Sequence, residues 1–341
     1  MDFSGIIGQK QVVGSLKRAL AESRIPHAYI FTGPAGIGKK TVAHLFAGLL
    51  LCENPQSGAT CGVCRGCLLY ENGSNPDYRR INTEEASIGV DVIRGIQGDV
   101  SIRPMYSGRK VYVIEEAGKM TDQAQNCLLK TFEEPPPYVV VILLAENYEM
   151  LLETIRSRAQ RLNFTKYSYE QVCQALAEKV GRGSAHVGEH LTKSTTSPGS
   201  LELAAGYSDG NIGLALELAA SGEFTLLREK TLEHLAGVAK GRMEDILEFT
   251  AFMEENKDSS ELLLGTLLLY YRDLLVVCET GNEKMLINSD KKDIIFNNAR
   301  MYRSSRLLDN ITAIEATRRA LKQNANYQLA IDNMLIKLRE V

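Results

Sequence analysis

The chain has 341 residues, of which 44% are hydrophobic and 24% charged, the composition of a soluble globular protein of about two or three domains. Lys and Arg total 39 against 42 Asp and Glu, a net charge of −3, which argues against a uniformly basic nucleic-acid binder but not against local basic patches. Met1 and Asp2 begin no positive-then-apolar export pattern, and the longest apolar run, residues 262–271, is too short to span a bilayer, so a cytoplasmic chain without a membrane partner is expected.

Taken in order, residues 9–23 carry Val12, Val13, Leu16 and Leu20 at helical spacing. Residues 25–31 read as a first strand, and 42–51 as an apolar helix. Between them lies Gly33–Thr41, GPAGIGKKT. A glycine-rich loop between strand and helix turns backbone N–H groups and a positive helix end toward phosphate. Gly33, Gly38 and Lys39 fit the pattern G-x-x-x-x-G-K-[ST], and Gly36 lies inside it. The last position is Lys40, where a hydroxyl should hold magnesium. Thr41 comes one residue late, about 100° further round the helix.

Seven cysteines are present, four of them as Cys52, Cys61, Cys64 and Cys67 in C-x8-C-x2-C-x2-C spacing. In a reducing compartment this is a metal site rather than disulfides. Structural zinc is expected, with an iron–sulfur cluster the alternative. Cys127, Cys173 and Cys278 read as small buried apolar residues.

Further on, residues 77–82 contain a short extended stretch and 88–102 a helix. KVYVIE, 110–115, reads as a central strand. A helix over 122–132 stops before Pro135 to Pro137. VVVILLA, 139–145, reads as a strand covered on both faces. A short helix at 150–155 and a strand at 161–164 follow. Alternating strands and helices predict a parallel α/β sheet. Beyond Phe164 the pattern is helical: a helix capped by Ser168 and running to about 179, a mobile connection over 181–199, short helices at 201–206 and 212–220, then longer ones over roughly 225–238, 242–256, 259–278, 304–323 and 326–340.

Three further places carry candidate chemistry. Glu115 and Glu116 close the 110–115 strand, where nucleotide-hydrolysing sheets place acids that support a metal and polarise water. The alternative is a solvated acidic pair. Asn147, just past the 139–145 strand, could orient a water or a terminal phosphate, or simply form a turn. Ser157-Arg158 offers an exposed guanidinium that could reach a neighbouring subunit's phosphate, or lie solvated.

Together, GPAGIGKKT, the four-cysteine module, KVYVIEEA, NCLLKTFEEPPP, LLAEN and TIRSRAQ resemble the AAA+ clamp-loader family of bacterial DNA polymerase III, closely over residues 3–165 and more weakly beyond. The resemblance implies a RecA-like AAA+ parallel-sheet domain over 1–165 with a zinc module at 52–67. A small helical lid domain (166–222) and an all-helical collar domain (223–341) follow. It implies zinc at the four cysteines, and as partners the tau/gamma ATPase and delta subunits of a five-subunit ring, the sliding clamp, and primed DNA through the complex. It assigns Arg158 as an arginine finger acting in trans, Glu116 as a degenerate catalytic acid, and Gly33, Gly36, Gly38, Lys39, Lys40, Thr41, Glu115 and Asn147 as the ATP/Mg2+ site. Lys40 replaces the magnesium-binding hydroxyl, Glu115 the usual Asp, and Gly213 the lid arginine of active members. The expectation is a ring member that hydrolyses little or no ATP. The alternatives are an active clamp-loader ATPase and an independent DNA-remodelling motor.

Overall fold

The structure, a computed structural model, describes residues 1–56, 58–83, 85–181, 198–238 and 242–339. The mobile connection expected over 181–199 lies almost wholly outside the described residues. Contacts divide the chain into two units, residues 1–171 with 210–213, and residues 172–209 with 214–341.

In the first unit, strands β1 (Ala28–Thr32), β2 (Tyr78–Ile81), β3 (Lys110–Ile114), β4 (Val139–Ala145) and β5 (Gln160–Asn163) form one sheet in the order β2-β3-β4-β1-β5. Every pairing is parallel. Helix α1 (Lys10–Ala21) precedes the first strand, and α2 (Lys39–Leu51), α3 (Arg65–Glu71), α4 (Val90–Val100), α5 (Asp122–Glu133) and α6 (Glu153–Arg156) lie between the strands in sequence. All residues of β1, β3 and β4 are buried, as covered parallel strands require. The edge strands β2 and β5 each bury one residue of four. One apolar cluster joins Ile30, Ile114 and Leu143 of the sheet to Ile93 and Ile96 of α4 and Leu128 and Phe132 of α5. The register sets Ile30 beside Leu143 and Leu143 beside Ile114. The residues after β1, β3 and β4 therefore emerge along one carboxyl edge, where parallel sheets bind ligands.

Local chemistry explains where elements start and stop. The first strand begins at Ala28, not residue 25, since Pro26 has no N–H to give to a ladder. The glycine-rich loop feeds directly into α2, which begins at Lys39 rather than 42. Thr121 caps α5 by accepting the Ala124 N–H at 3.2 Å. Ser168 and Gln171 form a reciprocal capping box, with the Ser168 Oγ accepting the Gln171 N–H and the Gln171 Oε1 accepting that of Ser168. It starts α7 (Tyr169–Gly181).

In the second unit come α8 (Pro198–Tyr207), α9 (Ile212–Ala220), α10 (Gly222–Val238), α11 (Met243–Glu255), α12 (Ser260–Thr280), α13 (Lys292–Ala299), α14 (Ser304–Lys322) and α15 (Tyr327–Arg339). α12 packs on α10, α13 and α14. Leu263, Leu267 and Leu274 of α12 share a core with Phe249, Ile295, Ile314 and Leu335. The pattern of residues 292–299 did not announce α13, because the segment is short and Asn-rich; Ile295 and Ala299 anchor it in that core. Cys278 is a correction. It is exposed, because it lies in the last turn of α12, beyond that helix's last buried residue, Leu274. Cys127 and Cys173 are half-buried. Among the described residues no helix is long and apolar enough to cross a membrane.

Candidate functional site

The glycine-rich loop leaves β1 at Gly33 and enters α2 at Gly38. Gly33, Gly36 and Gly38 all have positive φ, at 147°, 67° and 93°. Two are also sterically required. A side chain on Gly33 would meet the Phe164 carbonyl at 2.5 Å, and one on Gly36 the Asn211 amide at 2.4 Å. Asn211 belongs to a segment, 210–213, that folds back on the loop. Its amide N–H donates to the Ala35 carbonyl at 2.8 Å, and the Gly213 N–H donates to that of Gly36 at 3.1 Å. Lys39 is buried and donates to the carbonyls of Gly33 and Pro34, the latter at 2.6 Å. Burial holds its ammonium pKa below the usual lysine range, opposed by Glu146 and helped by Lys40. Thr41 is exposed.

Glu115 follows β3 and is only 3% exposed. Both of its oxygens are engaged. Oε2 lies 2.8 Å from the Lys40 ammonium, and Oε1 accepts the Arg80 Nε–H at 2.6 Å. Arg80 comes from β2, which pairs with β3 so that Arg80 lies beside Val113. Burial alone would raise the Glu115 pKa, but the hydrogen bonds from Arg80 and Lys40 outweigh it and hold the carboxyl below the usual range. Glu116 has a left-handed backbone, φ 49°, and pairs with Lys119 at 2.6 Å. Asn147 is exposed, and its side-chain oxygen accepts the Glu149 N–H at 2.9 Å, capping the turn at Tyr148–Met150.

An ATP-bound magnesium needs a hydroxyl from the loop and a free acidic oxygen at the end of β3, in a near-octahedral oxygen shell about 2.1 Å in radius. Here an ammonium stands where the hydroxyl should be, and both oxygens of the acid already serve cations. The donor set does not fit the metal.

Arg158 follows α6 and precedes β5. Its side chain is 39% exposed and is held loosely, 3.3 Å from Glu133 and 3.1 Å from the Thr154 carbonyl. Surface pairs of this kind contribute about 1 kcal/mol or less.

The four cysteine sulfurs lie within 4.8 Å of one another and could hold a metal ion. Cys52 ends α2, Cys64 caps α3, and Cys67 lies within α3. The backbone N–H groups of Cys61, Cys64 and Cys67 each point at the sulfur of the preceding cysteine, at 3.3 to 3.4 Å. N–H groups of Val63 and Cys64 hold the Cys61 thiol down to about 6, while burial pushes Cys52 and Cys67 up. Gly66 anchors the module: a side chain there would meet the Leu51 carbonyl at 2.4 Å.

The sequence pattern of a family described as "DNA polymerase III, delta subunit" matches residues 8–168, and that of its C-terminal counterpart residues 223–340. The chain is 31% identical to the DNA polymerase III subunit delta' of Bacillus subtilis, over 97% of this chain and 96% of that protein. The chain belongs to the DNA polymerase III delta' family. The delta' subunit of Pseudomonas aeruginosa is 42% identical over 39% of this chain and 41% of its own length. The Bacillus subtilis subunit tau is 30% identical over 80% of this chain, which spans half of tau's length. The phosphate loop after β1, the acid after β3 and the helical C-terminal unit of this delta'-family chain are the AAA+ organisation that its motifs implied.

Two residues of the site were not singled out in the sequence. Arg80 carried no signal beyond membership of a short extended stretch, because its meeting with Glu115 depends on which strands pair. Asn211 could have been noticed as a polar residue in the Gly-containing connection between the helical patterns of 201–206 and 212–220.

Proposed function

We infer that this chain is the delta' subunit of a DNA polymerase III clamp loader, and that it serves there without hydrolysing ATP itself. The observation that carries this reading is the Lys40–Glu115–Arg80 cluster, which ties up the acid that a nucleotide-bound metal requires. Arg158 complements it. Its guanidinium stands at the surface on a short turn, restrained by a weak pair with Glu133 that a triphosphate can outcompete. In this reading Arg158 acts in trans on a tau/gamma-type ATPase neighbour, and Glu116 has no catalytic task. Residues 166–222 form a lid, and 223–341 a collar that holds the chain in a five-subunit ring with delta. The ring opens the sliding clamp and places it on primed DNA in the cytoplasm. A zinc ion at Cys52, Cys61, Cys64 and Cys67 supplies structural cross-linking, with no open coordination position.

The test is ATP hydrolysis by the reconstituted complex with clamp and primed DNA. Finger arginines contribute about 10³-fold or more at the site they serve. Arg158→Ala should therefore remove roughly one active site's share of the turnover while the complex still assembles. The chain alone should hydrolyse no ATP. Unchanged turnover by the mutant complex, or brisk hydrolysis by the isolated chain, overturns the reading.

A further inference from the structure

The residue at the end of the glycine-rich loop does more than omit a hydroxyl. Lys40 is the second residue of α2, and its side chain crosses to the end of β3, where its ammonium sits 2.8 Å from Glu115 Oε2. Glu115 is buried to 3% exposure, so its charge has little water to neutralise it. Arg80 supplies a second cation at 2.6 Å on the other oxygen. Lys39, the other cation of the loop, is turned away onto the Gly33 and Pro34 carbonyls. Thr41, the nearest hydroxyl in sequence, is exposed. Asn147 spends its amide oxygen on its own turn.

The geometry points to Lys40 as the resident cation of this site: its tethered ammonium takes the place of a divalent metal at Glu115 and keeps that metal out. This deepens the reading of the site as non-hydrolytic and rests on it. The physical reasons are two. A divalent ion bound at Glu115 must sit beside an ammonium and a guanidinium already on that carboxylate, and it is repelled by both, although water reaches the Lys40 and Arg80 side chains, which are 59% and 52% exposed, and softens that repulsion. It must also displace the ammonium from Oε2, because Oε1 already accepts the Arg80 N–H. An ammonium carried by the chain is present at fixed stoichiometry, whatever the nucleotide or metal concentration. Glu115 therefore stays neutralised in every state of a surrounding assembly, and the loop has no metal-dependent step through which to cycle. The loop's closure by Asn211 and Gly213 needs no ligand either, since both bonds are made within the chain.

The specificity of the site should then turn on one side chain. Lys40→Thr removes the ammonium and restores a hydroxyl at the position where the phosphate-loop pattern has one. Manganese(II) with ADP is the probe, and free Mn2+ is counted by electron paramagnetic resonance, using the full-length chain. Comparing variant with parent cancels any Mn2+ bound elsewhere. The parent should hold no Mn2+ at this site in the presence of ADP. Lys40→Thr should gain one ADP-dependent Mn2+, with affinity above the parent by at least about tenfold, the scale on which groups around a metal tune its binding. Lys40→Met, which keeps the apolar stem and drops only the charge, should show a smaller gain, and it stands in if the threonine variant fails to fold. A parent that binds Mn2+ and ADP as tightly as the folded variants overturns the proposal. So do variants that bind no better than the parent. A parent that takes up Mn2+ yet hydrolyses no ATP sinks the resident-cation proposal alone and leaves the role of Arg158 standing.

Discussion

Arg228, in α10 of the second unit, is 1% exposed, and its guanidinium makes five hydrogen bonds. Two go to Asp290, at 2.9 and 2.7 Å, two to Asn288 Oδ1, at 3.2 and 2.8 Å, and one to the Tyr207 hydroxyl at 3.1 Å. Asn288 is fully buried and is held from the other side by the carboxylate of Asp273, itself fully buried. The network ties α8, α10, α12 and the 288–290 turn together. Arg228→Met removes the charge but keeps much of the volume. Breaking a buried ion pair by deleting one partner costs about 3–5 kcal/mol. The lower end applies here, because Asp290 is 36% exposed and can rehydrate, and because Tyr207 still donates to Asn288. A loss of about 3 kcal/mol lowers the midpoint of a unit of this size by roughly 6–12 °C. Differential scanning calorimetry of the full chain reads it, with hydrogen exchange to assign the transition to α8 and α10. The loss should be confined to the second unit's transition. A shift below about 2 °C would refute the claim that the cluster is integral to that unit's stability.

Two further outcomes are expected. The four-cysteine module should carry about one zinc per chain, and chelation should raise hydrogen exchange in α3 and the end of α2 while leaving the exchange of the Arg158 turn unaltered; freshly reduced protein that binds no metal would dismiss the site. Glu115 is held below its ordinary value of 4.5, so the unfolded chain takes up its proton more readily than the folded one. Its contribution to stability is present above that value and is lost as pH falls through the lower folded one. Arg80→Ala, which removes one of the two groups holding it down, should destabilise the first unit at neutral pH, with the gap narrowing as the pH is lowered from about 6 to about 3; a gap independent of pH would show that Glu115 is not the group responsible.

The sheet was legible in the sequence because its central strands are almost wholly apolar, with only Lys110 opening β3 and Thr32 closing β1 as exceptions. The residues of β4 coincide with the expected 139–145 stretch, since a strand buried on both faces writes itself as a solid run. Edge strand β2, reading Tyr-Arg-Arg-Ile, gives no such run, and its partner is fixed only by the tertiary fold. That is why Lys40 read as a missing hydroxyl when the structure shows an ion pair: the loop motif displays the vacancy, but the cation's target lies 75 residues away, at Glu115. Asn147 and Glu116 were visible as polar residues at strand ends. Their backbone conformation, which sends one amide to Glu149 and places the other residue at positive φ beside Lys119, was not. Arg228 left no trace at all, because one arginine in an amphipathic helix looks the same whether it faces water or the core.

The return of residues 210–213 to the glycine-rich loop bears on how the molecule can be divided. A cut after Gln171, where the continuous part of the first unit ends, releases a piece that lacks the Gly210 carbonyl that accepts the Tyr167 N–H at 3.0 Å and the Gly213 N–H that reaches Gly36. It also strips Asn211 from Ala35. Anyone preparing the sheet as a separate fragment must carry the chain past residue 213, or graft that strap back on, for the peptide groups at the mouth of the loop to find their partners.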